Sequence, residues 1–316
     1  MQTRRLGQSA IEVPPIIFGG NVFGWTADRA MSFRLLDALV DAGLTSIDTA
    51  DVYSAWVPGH AGGESETVIG EWLKARPGMR ARVTLMTKVG LEIPGKGKGL
   101  SAAWIARSAE DSLKRLGTDV IDLYYAHKDD EAVAQEETAR AFGTLVAAGK
   151  VRVLGASNVS AARLDSAMAT SAALGLPRYE VMQPLCNLME RGIEAELVPA
   201  CVKHGMAVAP YSALASGFLS GKYRSEADLG KSVRGARGAG KYLTPKGHAV
   251  LAALDAVAAR AGATPAQVAI AWLIAKPGIT AALASATSLE QLAELVRAAS
   301  LSLDAEAMTV LDAASA

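Results

Sequence analysis

Residues 120–158 read VIDLYYAHKDDEAVAQEETARAFGTLVAAGKVRVLGASN. The stretch opens on one largely apolar run, Val120–His127, and closes on another, Val151–Asn158. Between them, 133–148 places apolar residues at helical spacing and stops at Gly149, the residue preferred where a helix ends in a left-handed conformation. Apolar runs without strict alternation suit parallel strands buried on both faces. The stretch therefore predicts a strand, a helix and a second, parallel strand.

The same unit recurs in both directions along the chain. Further strands are predicted at Ile16–Gly20, Ser46–Ala50, Val83–Lys88, Tyr179–Pro184, Met206–Ser212 and Thr280–Ala286. Helices are predicted at 28–42, 64–75, 101–116, 160–174, 190–204, 264–275 and 288–299. Gly43, Gly117, Gly175 and Gly205 each stand just past a helix, and Thr264-Pro265 places proline in a first turn, where its missing N–H costs nothing. The strand ends fall at Gly20, Ala50, Lys88, His127, Asn158, Pro184, Ser212 and Ala286. Six of the intervals each hold one strand–helix unit of about 30 residues, and the seventh holds a unit plus an insertion. Eight strands alternating with eight helices is the (β/α)8 TIM-barrel pattern, for which about 250 residues suffice. The surplus of this 316-residue chain lies in an N-terminal segment at 2–13, an insertion at 215–262 and a final helix at 304–315. A doubly wound sheet is the alternative, but no GxGxxG follows the first strand; FGGNVFG at 18–24 has the wrong spacing. The expectation is one barrel domain spanning 1–316.

Composition narrows the function. Half the chain is apolar and 20% is charged, with 32 basic against 32 acidic residues and no formal net charge. That balance argues against nucleic acid as a partner. Two cysteines, Cys186 and Cys201, cannot build a disulfide framework or a cysteine-based zinc site. The start, MQTRRLGQSAIEVPP, lacks the apolar core of a secretory signal. The apolar stretch 249–275 is broken by Asp255, Arg260 and Gln267 and reads as amphipathic helices, not a membrane span. These features point to a cytoplasmic protein with no membrane partner.

Barrel enzymes place their chemistry at the C-terminal ends of strands. The second strand runs into Asp48-Thr-Ala-Asp-Val-Tyr53, the third ends in Lys88 and the fourth in His127. Singly, each has a plainer reading: a structural ion pair, a core aromatic or a satisfied histidine. Together, on consecutive strands, they make an activated acid. A phenol has a pKa near 10; a neighbouring ammonium should lower it, and a carboxylate can hold that ammonium in place. The imidazole can hold a carbonyl oxygen beside the phenol. Such a set protonates a carbonyl or deprotonates an alcohol, and a hydride must then come from a cofactor.

SIDTADVYS (46–54), TKVG (87–90), LYYAHKDD (123–130), GASN (155–158), YSALASGFLSGKY (211–223) and LASATSLEQLAEL (283–295) occur in that order and resemble the aldo-keto reductase family over nearly the whole chain. The resemblance implies a (β/α)8 barrel closed below by an N-terminal β-hairpin. It also implies an NAD(P)(H)-dependent oxidoreductase of aldehydes, ketones and alcohols, and it implies no metal. Its catalytic tetrad maps onto Asp48, Tyr53, Lys88 and His127, with Tyr53 as general acid and base. Ser157, Asn158 and Gln183 match the residues that hold the nicotinamide carboxamide. Tyr211 matches the aromatic stacked on the nicotinamide ring, with Ser212 beside it. Leu214, Gly217, Leu219 and Lys222 match the segment over the pyrophosphate.

The adenosine end departs from the family pattern. Many relatives carry a basic group there for the 2′-phosphate of NADP, where this chain has Ser285-Ala286-Thr287, then Gln291, and Leu295 in place of the usual asparagine. Lys222, Arg234, Arg237 or Lys241 could compensate from the insertion; without them, NAD or dual use of NADP and NAD is expected. Asn21, Phe23 and Trp25 follow the first strand, and Trp56 follows Tyr53. With aromatics at only 5% of the chain, their concentration in two mouth loops predicts a pocket for a flat carbonyl or alcohol substrate. Two alternatives stand beside a carbonyl reductase. One is an NAD-dependent dehydrogenase of a sugar or hydroxy-aldehyde. The other is a cofactor-binding regulatory subunit resembling potassium-channel β subunits. The oligomeric state is not legible.

Overall fold

The computed structural model describes residues 2–233 and 235–316. Arg234, one of the candidate basic residues, lies outside the described residues. A two-stranded antiparallel hairpin, β1 (Arg4–Arg5) and β2 (Glu12–Val13), precedes an eight-stranded parallel sheet. That sheet comprises β3 (Ile16–Gly19), β4 (Ser46–Asp48), β5 (Thr84–Val89), β6 (Ile121–Ala126), β7 (Val151–Ser157), β8 (Tyr179–Gln183), β9 (Ala207–Val208) and β10 (Ala282–Ala284). Its order is β10-β3-β4-β5-β6-β7-β8-β9. The seam is bridged by Thr280 N–H to the Val208 carbonyl at 2.8 Å and Leu283 N–H to the Pro210 carbonyl at 2.8 Å. The predicted seventh strand is longer than β9 because Pro210 has no N–H to extend a ladder.

Ten helices among the described residues surround the strands: α1 (Arg29–Asp41), α2 (Glu64–Ala75), α3 (Ala102–Leu116), α4 (Gln135–Ala147), α5 (Ala161–Leu174), α6 (Leu197–Lys203), α7 (Pro245–Ala261), α8 (Pro265–Ala275), α9 (Leu289–Ala298) and α10 (Ala305–Ala314). Their ends follow local chemistry. The Ser101 side chain caps α3, which stops at left-handed Gly117. Thr264 and Gln267 form a reciprocal cap at the start of α8, satisfying donors that a helix start leaves open. Two expectations need correction. The helix predicted at 190–204 begins only at Leu197, which leaves Pro199 in the first turn; an earlier start would bury that proline mid-helix and break it. The late apolar stretch is not amphipathic throughout: α8 is buried from Ala266 to Ile274, because α7, α9 and β10 pack around it.

Two apolar layers hold the barrel. Inside it, Ile17, Met86, Leu123, Tyr125, Val181 and Leu283 pack together, and Leu6 and Val13 of the hairpin close the lower end. Outside, strand residues such as Phe18, Ile47 and Tyr124 pack against α1, α2, α3 and α4. Arg4 ties the hairpin down by donating to the carbonyls of Ile274 and Thr280, both at 3.1 Å. Both layers leave the C-terminal ends of the strands free for polar side chains. Among the described residues, no single helix is long and apolar enough to cross a membrane.

Candidate active site

β4 ends in Asp48, β5 carries Lys88, and His127 directly follows β6. Strand register pairs Asp48 with Met86 and Lys88 with Tyr125, which puts these polar residues at the C-terminal ends of three adjacent strands. Tyr53 comes from the turn after β4. Lys88 Nζ donates to Asp48 Oδ2 at 2.6 Å, to the Thr49 carbonyl at 2.7 Å and to Tyr53 Oη at 3.0 Å. An ammonium has three protons and accepts nothing, so all three are engaged. Tyr53 oxygen is the acceptor in this contact, which leaves its own proton to give. Gln183 Nε2 donates to the other Asp48 oxygen at 2.9 Å. The Tyr53 and His127 rings meet edge to face at 5.9 Å. The four predicted tetrad residues are therefore together.

Burial shapes their charges. Lys88 is 0% exposed and Asp48 1%. Burial alone would push the ammonium down, but the attraction of Asp48 and Tyr53, with their hydrogen bonds, holds it above its usual value. Burial raises Asp48 further than Lys88 and Gln183 lower it. For Tyr53 the expected pull of Lys88 is present, yet burial outweighs it and the phenol stands above 10. The expectation of a lowered phenol is thus corrected: desolvation of the phenolate exceeds the gain from one shared ammonium. The phenol stays protonated at neutral pH, which suits a donor. His127 is pushed well below its ordinary value by burial and then by Lys88, which favours the neutral imidazole. Its buried Nδ1 has no hydrogen-bond partner among the described residues.

Over this group opens a cavity of about 1040 Å³, lined by Asp48, Tyr53 and His127, with Lys88 beneath. Of the cofactor candidates, Ser157, Asn158, Gln183, Tyr211, Ser212, Leu214, Gly217, Lys222, Ser285, Thr287 and Gln291 line it, and Leu219 does not. Leu219 is fully buried in the outer core, as its helical turn directs it inward. Ser157 Oγ donates to the Gln183 carbonyl at 2.7 Å, and Asn158 Nδ2 to the His127 carbonyl at 2.9 Å. Tyr211 Oη donates to Asn158 Oδ1 at 2.9 Å. Asn158, Ser212 and Ser216 line the cavity in left-handed backbone conformations, which cost energy for residues other than glycine and concentrate at functional sites. The hydroxyl and amide groups of one wall, with an aromatic ring beside them, have the donors and acceptors that fit a nicotinamide carboxamide. The site is large enough for a dinucleotide and a small substrate.

The substrate candidates divide. Asn21, Trp25 and Trp56 line the cavity. Phe23 does not: it is fully buried and stacks on Phe18 at 5.5 Å. Phe23 joins Phe18 in the apolar layer outside the strands, so Trp25 is the aromatic of this loop that faces the mouth.

A second buried layer escaped the reading of the sequence. Glu66, fully buried on α2, accepts from Thr87 Oγ1 at 2.6 Å and pairs with Arg115 at 2.6 Å. Asp51, 1% exposed, has no side-chain partner for either carboxylate oxygen among the described residues. Burial and then the charge of Glu66 hold it well above the ordinary carboxylate range. One signal was available: Glu66 shares the apolar helix face of Ile69 and Leu73, where a solvated carboxylate has no place.

A family model described as the aldo/keto reductase family matches residues 15–316. The chain is 34% identical over 319 residues to an uncharacterized oxidoreductase, YrpG, of Bacillus subtilis, covering 99% of this chain and 95% of that protein. It is 32% identical to an aryl-alcohol dehydrogenase (NADP(+)) of Phanerodontia chrysosporium, covering 96% and 82%. It is 31% identical to a probable voltage-gated potassium channel subunit beta of Arabidopsis thaliana, covering 94% and 91%. Barrel, family match and oxidoreductase relatives agree: the chain belongs to the aldo/keto reductase family of NAD(P)-dependent oxidoreductases.

Proposed function

We propose that Tyr53 is the proton donor in reduction of an aldehyde or ketone, and the acceptor when the alcohol is oxidised. The contact that carries this reading is Lys88 Nζ donating to Tyr53 Oη. It leaves the phenolic proton for a ligand and puts a positive charge where phenolate would form. A nicotinamide held in this cavity would supply the hydride that the reduction needs. Tyr53 gives its proton to the carbonyl oxygen, and Lys88, kept charged by Asp48, stabilises the phenolate left behind. Neutral His127 holds the carbonyl oxygen by a hydrogen bond, a role that preorganised donors perform best in a water-poor site. Ser157, Asn158 and Gln183 would hold the carboxamide, Tyr211 and Ser212 the ring, and Leu214, Gly217 and Lys222 the pyrophosphate. Leu219 would shape that segment from below. Ser285, Thr287 and Gln291 would meet the adenosine, and Asn21, Trp25 and Trp56 the substrate.

Cofactor choice follows from the same cavity. Thr287 is hydrogen-bonded to Gln291, and no basic residue occurs between 285 and 295. Lys241 pairs with Glu190 at 3.0 Å, and Arg237 stands over Trp25. Lys222 lines the cavity and serves the pyrophosphate in this reading. A missing charge-assisted phosphate contact costs about 1.5–3 kcal/mol, one to two decades of affinity. NAD or dual use follows, and with it operation as a dehydrogenase where oxidised NAD prevails.

Tyr53→Phe tests the acid. It should lower kcat at least about a hundredfold with cofactor affinity kept, since only the proton is removed. Unchanged turnover refutes the assignment. The relative named as a channel subunit supports a second reading, a cofactor-binding regulatory protein. Tight cofactor binding without turnover on any aldehyde, ketone or alcohol would favour it.

A further inference from the structure

Arg237 comes from the insertion after β9, yet its guanidinium carbon lies 5.5 Å from the ring centre of Trp25, in the loop after β3. Trp25 meets Trp56 edge to face at 5.5 Å, and Trp56 meets Tyr53 at 5.7 Å. An aromatic wall thus runs from the proposed proton donor to a cation. Arg224, Lys231 and Lys241 of the same insertion are paired with Asp255, Asp228 and Glu190, whereas Lys222, beside the proposed pyrophosphate segment, and Arg237 both line the cavity. Arg237 makes no ion pair among the described residues and lines the cavity. An arginine held over an indole keeps its charge and its planar fork of donors, the geometry that a carboxylate matches.

We propose that the site selects aromatic aldehydes or aryl alcohols carrying a carboxylate remote from the reacting carbon. The ring system lies along Trp56 and Trp25, and the carboxylate meets Arg237. The three steps of the wall are 5.5–5.7 Å between centres, each more than the width of one carbon ring, so an elongated two-ring substrate reaches further along it than a single ring. This rests on the reading of Tyr53 as the group at the carbonyl.

Matched probes are 2-naphthaldehyde and 6-formyl-2-naphthoate, assayed with the wild type, Arg237→Ala and Arg237→Lys. The wild type should favour the carboxylate in kcat/KM by about tenfold, the share of a charge-assisted contact that an exposed site retains. Arg237→Ala should erase that preference through KM, leave the neutral aldehyde within about threefold and leave NADH and NADPH binding unchanged, while Arg237→Lys keeps part of it. Equal kcat/KM for the two aldehydes in the wild type overturns the proposal. So does an Arg237→Ala variant that loses both substrates equally and binds NADPH more weakly, because Arg237 then serves the cofactor. If neither aldehyde turns over, the reductase reading fails, and binding to the cofactor-loaded protein decides the charge. Naphthalene-2,6-dicarboxylate should then quench tryptophan fluorescence at lower concentration than 2-naphthoate, with the gap lost in Arg237→Ala; equal binding overturns the proposal.

Discussion

Replacing Asp48 by asparagine separates the charge of the buried pair from its hydrogen bonds. Lys88 and Asp48 are 0% and 1% exposed and sit 2.6 Å apart. Asparagine can still accept from Lys88 Nζ through its one oxygen, with Gln183 turning its own amide so that its oxygen accepts from the new NH2 group. Thr49 and Tyr53 still take the other two ammonium protons, so the lysine keeps its contacts while charge compensation is lost. An unpaired buried charge costs about 3–5 kcal/mol, and the retained neutral hydrogen bond places the loss near the lower end. The pH dependence has a definite sign. In the wild type Lys88 is held above 10.5, so its contribution is complete below 10.5 and fades as pH rises through the folded value. In Asp48→Asn, burial acts on Lys88 with its main opponent gone, and the folded value drops below the unfolded one. The unfolded chain then binds more protons, and stability rises with pH by up to about 1.4 kcal/mol per unit until 10.5 is reached. Urea unfolding between pH 7 and 9.5 reads both effects. The double variant Asp48→Asn/Lys88→Met provides the baseline slope and should regain stability, because removing both charges leaves none unpaired. A loss under about 1 kcal/mol at pH 7, or a slope equal to the baseline, would refute the reasoning.

Asp51→Asn removes a buried carboxyl held well above its usual range by burial and Glu66, with Arg115 and Lys88 opposing. A raised carboxyl costs stability as pH rises above 3.8, so the variant should gain on the wild type between pH 4 and 7, by at most about 1.4 kcal/mol per unit in urea unfolding; a constant gap contradicts this. Gly70→Ala places a Cβ 2.1 Å from the Arg115 carbonyl oxygen; thermal unfolding should show a loss of about 1–3 kcal/mol as α2 is forced off α3. Kinetics with both cofactors should give an NADPH:NADH ratio of kcat/KM below about a hundred, and a larger ratio would contradict the missing phosphate clamp.

Much of this protein is written locally. Strand ends, glycine stops and proline starts repeat at the spacing of a strand–helix unit, so eight units and one barrel can be read without knowing which segments touch. Asp48, Tyr53, Lys88 and His127 are legible for the same reason: each is a polar residue at the end of an apolar run, and the barrel brings such ends together. The tertiary structure decided what depends on neighbours far away in the chain. Trp25 faces the cavity while Phe23 packs on Phe18 in the core, and Glu66 turns inward to meet Arg115. Arg237 reaches across the mouth to Trp25. The Tyr53 phenol ends above its usual value, because a sequence names the charges but burial sets how strongly each is felt. Periodicity records whether a side chain points in or out of its own element; only packing determines what it meets and how much water remains there.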